Sequence, residues 1–525
     1  MDLLSKNPSP SGESEGGLRG LRGILGTHLP FLVLGTFLCT IIDTLFYLFV
    51  AHTYDRAFII IGSNFMMTLG MVLVIMLLSF VKADKIAKYV FEFIISAYVC
   101  LLAFCWIKFG STIDKGMIAL INGTNPQEAS EFFSVYVTTP SIVLFVIAVL
   151  IVFGCFVFLT RKPYKAGKKQ MIALGVFFIF GCCSLGFSFY TIPGRIEAIF
   201  RTQKKNLADY LQHPTMKPTH EAHPDMVMMV IGESHVRSHS SLYGYDKETS
   251  PRLRKLRDSG NLICFTQTVS PATHTAESFK YFMTDCPSAD DETPWYESLT
   301  IPEAVQCSGY RTAWFSNQAY SGWHDNVSAS FADLCQTVVY AKEKGSDELL
   351  ANPDGVLFPF VSDYAEKNRD KDTRHCIFIN LMGHHQDYSL RYPDAWNKFK
   401  DSDYASKPEN QRHTYATYDN ACLYNDYVLD SLFSVLNHRN AVAIYFSDHG
   451  QDFYDSAPDY CSHSNDNNPV SYNAGIQIPL FIYMTDEYRA THPDIVEKLK
   501  AMSTKPFNTT NMMSLLLYLI GYEKQ

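Results

Sequence analysis

Two kinds of hydrophobic pattern divide this chain. Up to residue 192 long apolar runs dominate, at 29–51, 57–81, 89–107, 140–160 and 171–192. Each is close to the roughly 20 residues that a helix needs to cross a bilayer, so five membrane-spanning helices are expected. From about residue 217 the apolar runs shorten to strand length. Runs at 226–231, 261–269, 311–316, 376–381, 441–447 and 478–483 read as strands, and 303–308 and 418–436 read as helices between them. That alternation implies an α/β fold on a mainly parallel sheet. The expected organisation is a polar, disordered tail (1–22), a five-helix transmembrane domain (23–193), a charged connector on the membrane surface (194–216) and an α/β domain (217–525). The tail is rich in Gly, Ser and Pro and reads as cytoplasmic, not as a signal peptide.

Charge sets the orientation. Arg19 and Arg22 precede the first run, Lys82, Lys85 and Lys88 follow the second, and Arg161, Lys162, Lys165, Lys168 and Lys169 follow the fourth. These positions share one side of the membrane, and the positive-inside rule makes it the cytoplasm. An odd number of spans then places the α/β domain outside, which in a Gram-negative cell is the periplasm. The 525 residues carry a formal net charge of -9 and no extended basic face, which excludes a general nucleic-acid binder. Of the 13 cysteines, seven lie beyond the apolar runs, an odd number that leaves at least one unpaired.

The membrane half carries two polar features. Asp43 lies inside the first run, where a carboxylate either serves a function or pairs with a neighbouring helix. The loop 110–139 holds Thr124-Asn125-Pro126-Gln127-Glu128, followed by Glu131-Phe132-Phe133. An amphipathic helix on the outer leaflet satisfies this pattern, and so does a lipid-headgroup site.

Chemistry gathers at strand ends in the second half. The run 441–446 stops at Ser447-Asp448-His449-Gly450, and 226–231 stops at Gly232-Glu233-Ser234. Ligands bind at this edge of open α/β sheets, and a carboxylate beside an imidazole is a donor mix that zinc accepts. The segment Ser270-Pro271-Ala272-Thr273-His274-Thr275 opens a helix-like stretch. A hydroxyl there is either a helix cap or a nucleophile, activated by a divalent cation and facing backbone N–H groups that suit a phosphate. His384-His385 follows the run 376–381, and His463 follows the Asp-His pair. Histidines so placed bind a transferred phosphoryl group or protonate its leaving group.

Val230-Ile231-Gly232-Glu233-Ser234, with Ser241-Leu242-Tyr243-Gly244-Tyr245 and Thr249-Ser250-Pro251 behind it, resembles the opening motif of bacterial phosphoethanolamine transferases. Phe446-Ser447-Asp448-His449-Gly450 resembles their closing motif, and Tyr418-Asp419-Asn420 with Tyr424-Asn425-Asp426 the helix before it. The five-span anchor and the Thr-Asn…Glu loop are also similar, so the likeness runs from about residue 29 to 520. The family lies in the alkaline phosphatase and sulfatase superfamily, and the resemblance implies ping-pong phosphotransfer. Glu233, Thr275, Asp448 and His449 would bind Zn2+. Thr275 would displace diacylglycerol from phosphatidylethanolamine and hold phosphoethanolamine covalently. His385 and His463 match histidines near the transferred phosphate. Asn317 (with Gln318 as its rival) matches a headgroup-binding asparagine, and Asn125 and Glu128 match loop positions near the donor lipid.

The resemblance also bears on the acceptor, lipopolysaccharide. Lipid A-modifying members, among them enzymes of polymyxin resistance, bracket the nucleophile with two cysteines, whereas 271–282 carries none here. The motifs at 241–245 and 424–426 and the stretch 465–469 resemble members that modify the lipopolysaccharide core, which favours a phosphorylated heptose over a lipid A phosphate. Rivals fit less well. A sulfatase matures a cysteine or serine in a C/S-x-P-x-R context, and Cys286-Pro287-Ser288-Ala289-Asp290 lacks that pattern. A glycerol-phosphate transferase would take phosphatidylglycerol and Mn2+ on the same fold. A non-enzymatic sensor would have no need of all four metal-type ligands.

Overall fold

The structure, a computed structural model, describes residues 11–49, 54–109, 139–162, 169–170, 172–183, 207–220, 223–288, 293–318, 327–341, 353–369, 372–464 and 468–524. It contains two compact units, one of N-terminal helices and one that includes the residues from 200 onward.

Long uninterrupted apolar sequence makes the helices of the first unit: α1 (Ser11–Phe49), α2 (Tyr54–Ser79), α3 (Asp84–Phe109) and α4 (Thr139–Thr160). Four segments among them are long and apolar enough to cross a membrane: Thr27–Leu45, Phe58–Ser79, Asp84–Ile107 and Pro140–Thr160. In the fifth expected span only the short apolar helix α5 (Ile172–Cys183) is described, and the rest of that span lies outside the described residues. The expected loop with Asn125 and Glu128 also lies outside them. Helix α1 already includes residues 11–22, which the composition had placed in a disordered tail.

With no water in a bilayer, polar groups must find partners inside the bundle. Thr36 and Thr68 hydroxyls meet at 2.6 Å between α1 and α2, and Asn64 Nδ2 donates to the Cys39 carbonyl at 3.0 Å. Thr160 donates to Glu92, and Lys88 Nζ to the Thr160 carbonyl at 2.8 Å, tying α3 to α4. Asp43 is buried and has interaction partners in this unit.

The second unit is built on seven strands: β1 (Met226–Gly232), β2 (Leu262–Phe265), β3 (Tyr310–Ser316), β4 (Thr337–Tyr340), β5 (Arg374–Asn380), β6 (Ala441–Ser447) and β7 (Leu480–Met484). Their order across the sheet is β2-β7-β6-β1-β5-β3-β4. Four neighbouring pairs are parallel and the two that involve β7 are antiparallel, so the sheet is mixed. Leu480 pairs with Phe446, which means that β7 starts where β6 ends. The chain turns back at that edge instead of crossing over behind the sheet. The expected strand 261–269 divides at Thr266, whose amide donates to the Ser503 carbonyl at 2.9 Å. Its second half, Gln267–Val269, pairs with Pro506–Asn508 outside the main sheet.

Every residue of β1 is buried, and successive side chains enter different cores. Val227, Met229 and Ile231 join the cluster on one face, and Met226, Met228 and Val230 the cluster on the other. That period of two is the pleat, and burial on both faces explains why the run is apolar throughout. Helices α6 (Pro251–Asp258), α7 (Thr275–Phe282), α8 (Ile301–Cys307), α9 (Phe358–Lys367), α10 (Glu409–Ser434) and α11 (Pro469–Ile476) lie between the strands in sequence. The expected connector ends within this unit: His213 N donates to Glu303 Oε1 at 2.7 Å, and Met216–Pro218 pairs with Tyr522–Lys524. Among the described residues every cysteine is a free thiol.

Candidate active site

Register alone brings the two strand ends together. β1 and β6 pair in parallel with Gly232 opposite Ser447, and Asp448 N extends the ladder to the Gly232 carbonyl at 3.0 Å. Glu233 and Asp448 therefore emerge side by side. After Glu233 the backbone turns sharply, with Ser234 at φ 55 in the left-handed region. Its neighbours hold it there. The Tyr418 hydroxyl, from α10, donates to the Ser234 carbonyl at 2.9 Å and accepts from Val236 N at 2.7 Å. His235 N donates to Ser447 Oγ at 2.8 Å.

Thr275 is the first residue of α7, and the cap before it is His274 in extended conformation. The Thr275 hydroxyl is directed elsewhere than at the helix backbone. Its Oγ1 lies 3.1 Å from Glu233 Oε2 and 3.3 Å from His449 Nε2. That removes simple capping as its role and places a hydroxyl against a carboxylate and an imidazole.

Glu233, Asp448 and His449 form a tight buried group. His449 Nε2 is 3.2 Å from Glu233 Oε1 and 3.6 Å from Asp448 Oδ2. Its other nitrogen, Nδ1, meets the Gly450 carbonyl at 2.6 Å; donation there leaves the Nε2 lone pair for an ion. Asp448 Oδ1 accepts from the amides of Ser234 and His449 at 3.2 and 2.7 Å, while Oδ2 is buried with no hydrogen-bond partner. Burial and the charge of Glu233 push the Asp448 carboxyl up to about 7. Burial would also raise Glu233, but the hydrogen bond and charge of His449, with the charge of His385, hold it below the usual carboxylate range. Burial would lower His449, and Asp448 and Glu233 raise it to about 9. Two buried carboxylates, one with an orphan oxygen, an imidazole with its far nitrogen fixed and a hydroxyl together fit a divalent cation such as zinc.

Further histidines line the same place. One donor atom each from Glu233, His449 and His463 lies within 4.8 Å of the other two. The His463 ring is 5.1 Å from that of His449 and 6.3 Å from that of His385, and it stacks on His274 at 5.4 Å and 9°. Burial, then the charges of His449, His274 and His385, keep His463 well below the ordinary histidine range and so neutral. The structure thus brings together Glu233, Thr275, His385, Asp448, His449 and His463.

Asn317 and Gln318 diverge. Asn317 is 1% exposed and donates through Nδ2 to Asp354 Oδ1 at 2.8 Å. Gln318 Nε2 reaches Glu233 Oε2 at 3.2 Å and the Leu381 carbonyl at 3.1 Å. Three residues beyond the expected site set support it. Asp354 accepts from Met382 N and Gly383 N, both at 2.8 Å, and so anchors the loop that leads to His385. Gly383, at φ +49, packs on the Glu233 backbone. His274 supplies a ring beside His463. The pairing of Asn317 with Asp354 crosses elements that no local pattern links.

Comparison with known proteins gives a consistent picture. The model of the family described as "Sulfatase" matches residues 225–522, and that described as "Phosphoethanolamine transferase EptA/EptB" matches 33–215. Phosphoethanolamine transferase EptC of Escherichia coli K12 is 30% identical over 279 residues, covering 51% of this chain and 47% of that protein. Phosphoethanolamine transferase CptA of Salmonella typhimurium LT2 is 28% identical over 280 residues, with the same coverage. The chain spans about half the length of the curated relatives it matches. Among solved structures, the C-terminal periplasmic domain of EptC from E. coli in complex with Zn aligns with TM-score 0.53 and 25% identity, over 59% of this chain and 86% of that one. The integral membrane lipooligosaccharide phosphoethanolamine transferase A of Neisseria meningitidis aligns with TM-score 0.60 over 96% of both chains, at 17% identity, a likeness of fold alone.

Proposed function

The chain belongs to the sulfatase family, in its phosphoethanolamine transferase branch, and from that premise we propose that it is a zinc-dependent phosphoethanolamine transferase of the Gram-negative inner membrane. One observation supports this most: the Thr275 hydroxyl is held between Glu233 and His449 instead of capping its own helix. Glu233, Thr275, Asp448 and His449 would hold Zn2+, which when bound favours the alkoxide form of the Thr275 side chain. The basic loops put the N-terminus in the cytoplasm and the catalytic unit in the periplasm.

The reaction has two displacements. In the first, a bond forms between Thr275 Oγ and the phosphorus of phosphatidylethanolamine, and the bond from phosphorus to the glyceride oxygen breaks. A neutral imidazole, His385 or His463, would take the Thr275 proton as the bond to phosphorus forms and pass it to the glyceride oxygen, so that diacylglycerol leaves protonated. Phosphoethanolamine then remains on Thr275. In the second, an acceptor oxygen attacks the same phosphorus and the Thr275 oxygen leaves, which restores the free side chain. Thr275 opens α7, so the backbone N–H groups of that helix start would face the phosphate it attacks. Gln318 steadies Glu233, and Asn125 and Glu128 would contact the donor headgroup. We assign the acceptor as a phosphorylated heptose of the lipopolysaccharide core, on the absence of cysteines at 271–282 and the motifs at 241–245 and 424–426.

Purified full chain in detergent, given fluorescent phosphatidylethanolamine, is expected to release diacylglycerol, and Thr275→Ala to abolish that release. Consumption of phosphatidylglycerol alone would move the assignment to glycerol-phosphate transfer with Mn2+. Transfer onto lipid A phosphate in preference to core heptose would change the acceptor only.

A further inference from the structure

We propose that His235, His384 and Cys422 form a second metal site, separate from the one at Thr275, that takes a thiophilic ion of the zinc class. The three residues come from three elements: the turn after β1, the loop after β5 and the middle of α10. One donor atom from each lies within 4.8 Å of the other two. All are buried, at 4%, 0% and 3% exposure. With bonds of about 2.0 Å to nitrogen and 2.3 Å to sulfur, donors around tetrahedral zinc sit about 3.3–3.8 Å apart, so a contraction of about an ångström closes the cluster on an ion.

The nitrogens have no other explanation in the fold. His235 Nε2 and both ring nitrogens of His384 are sealed from solvent with no hydrogen-bond partner. Buried polar atoms are almost always paired. The two rings stack at 4.3 Å and 29°, an arrangement that two cations would not tolerate. Neutral imidazole is the form that binds a metal.

The surroundings match those of ligating histidines. Tyr445 Oη lies 2.8 Å from His235 Nδ1, and Asn425 Nδ2 donates to the same hydroxyl at 3.2 Å. With Nδ1–H donating to Tyr445, the Nε2 lone pair is left for the ion, the usual role of such a partner. Cys422 is a free thiol, and its proton leaves when the sulfur coordinates. Two imidazoles and a thiolate select zinc-like ions over magnesium or calcium, which want oxygen. Three protein donors are enough, with a small fourth ligand if the ion is tetrahedral. His384 N also donates to the Glu233 carbonyl at 2.8 Å. The ion would thus fasten the turn behind Glu233 and the loop leading to His385 onto α10.

Cobalt reports this site selectively, because the Thr275 site contains no sulfur. The full chain is expressed with Co2+ in place of Zn2+ and purified in detergent. The expected result is a near-ultraviolet thiolate-to-cobalt charge-transfer band that persists in Thr275→Ala. Cys422→Ser and His384→Ala should each abolish the band and remove one ion per chain. Tyr445→Phe should keep the band and weaken retention against a chelator by about 10–100-fold. Absence of the band in the parent chain overturns the proposal. So does a band that survives either Cys422→Ser or His384→Ala, since it then belongs to another thiol.

Discussion

Gly383 lies against the backbone of Glu233, so close that a Cβ on it would stand 2.7 Å from the Glu233 nitrogen and 2.8 Å from its carbonyl oxygen. Neither atom can give way, because Glu233 leaves β1 directly and its carbonyl accepts from His384 N. Its φ of +49 also disfavours any side chain. Gly383→Ala should displace Glu233 and lower kcat by about 10²-fold, the usual cost of moving a reacting group by an ångström. Steady-state kinetics beside a thermal unfolding curve separate this from simple loss of fold.

Asp354 is a structural anchor under the site. It accepts from Asn317 Nδ2, Met382 N and Gly383 N, and Asp354→Ala would leave the Met382 and Gly383 amides buried without this acceptor. At about 1–3 kcal/mol for each buried group left unsatisfied, a loss of roughly 2 kcal/mol or more is expected in urea unfolding. Asn317→Ala removes one of those donors and should cost only about 1 kcal/mol.

Gln318 has a different signature. Its side chain steadies the carboxylate that holds Thr275, through one hydrogen bond of 3.2 Å. Gln318→Ala should lower kcat by about tenfold, the equivalent of roughly 1.4 kcal/mol, with little change in the unfolding midpoint. An effect confined to KM for phosphatidylethanolamine would instead make Gln318 a headgroup contact.

Asp426 carries a pH dependence away from the Thr275 site. Its carboxyl accepts from Leu253 N and Arg252 N at 2.9 and 3.0 Å, at the start of α6. Burial pushes it from 3.8 up to about 7. The folded chain therefore holds a proton that the unfolded chain loses near its ordinary pKa. The contribution is fully present below about 3.8 and is lost as pH rises through about 7. Asp426→Asn should flatten the fall in stability across that window, by an amount on the order of 1–4 kcal/mol. Unfolding midpoints measured at pH 4, 5.5 and 7 (about one sample per transition region) check it.

Much of the site was legible because two apolar runs end in charged residues. Glu233 and the Asp448-His449 pair sit directly after strands that burial makes apolar throughout. The role of Thr275 was not settled by sequence, since a cap and a nucleophile both put a hydroxyl at a helix start; only its contacts distinguish them. Asp354 and Tyr418 act through hydrogen bonds to backbone of distant segments, which leave no periodic trace. The direction of β7 depended on the path of its connection, not on its own residues. The edge strand β4 is only half-buried and lacked an apolar run long enough to notice.

The central claim is that Thr275 carries the transferred group. The full chain, exposed to phosphatidylethanolamine without acceptor and then digested for mass spectrometry, tests it most directly. Phosphoethanolamine is expected on Thr275, discharged when acceptor is added and absent from Thr275→Ala. Consumption of the lipid with no adduct on Thr275, or full turnover by Thr275→Ala, would contradict it.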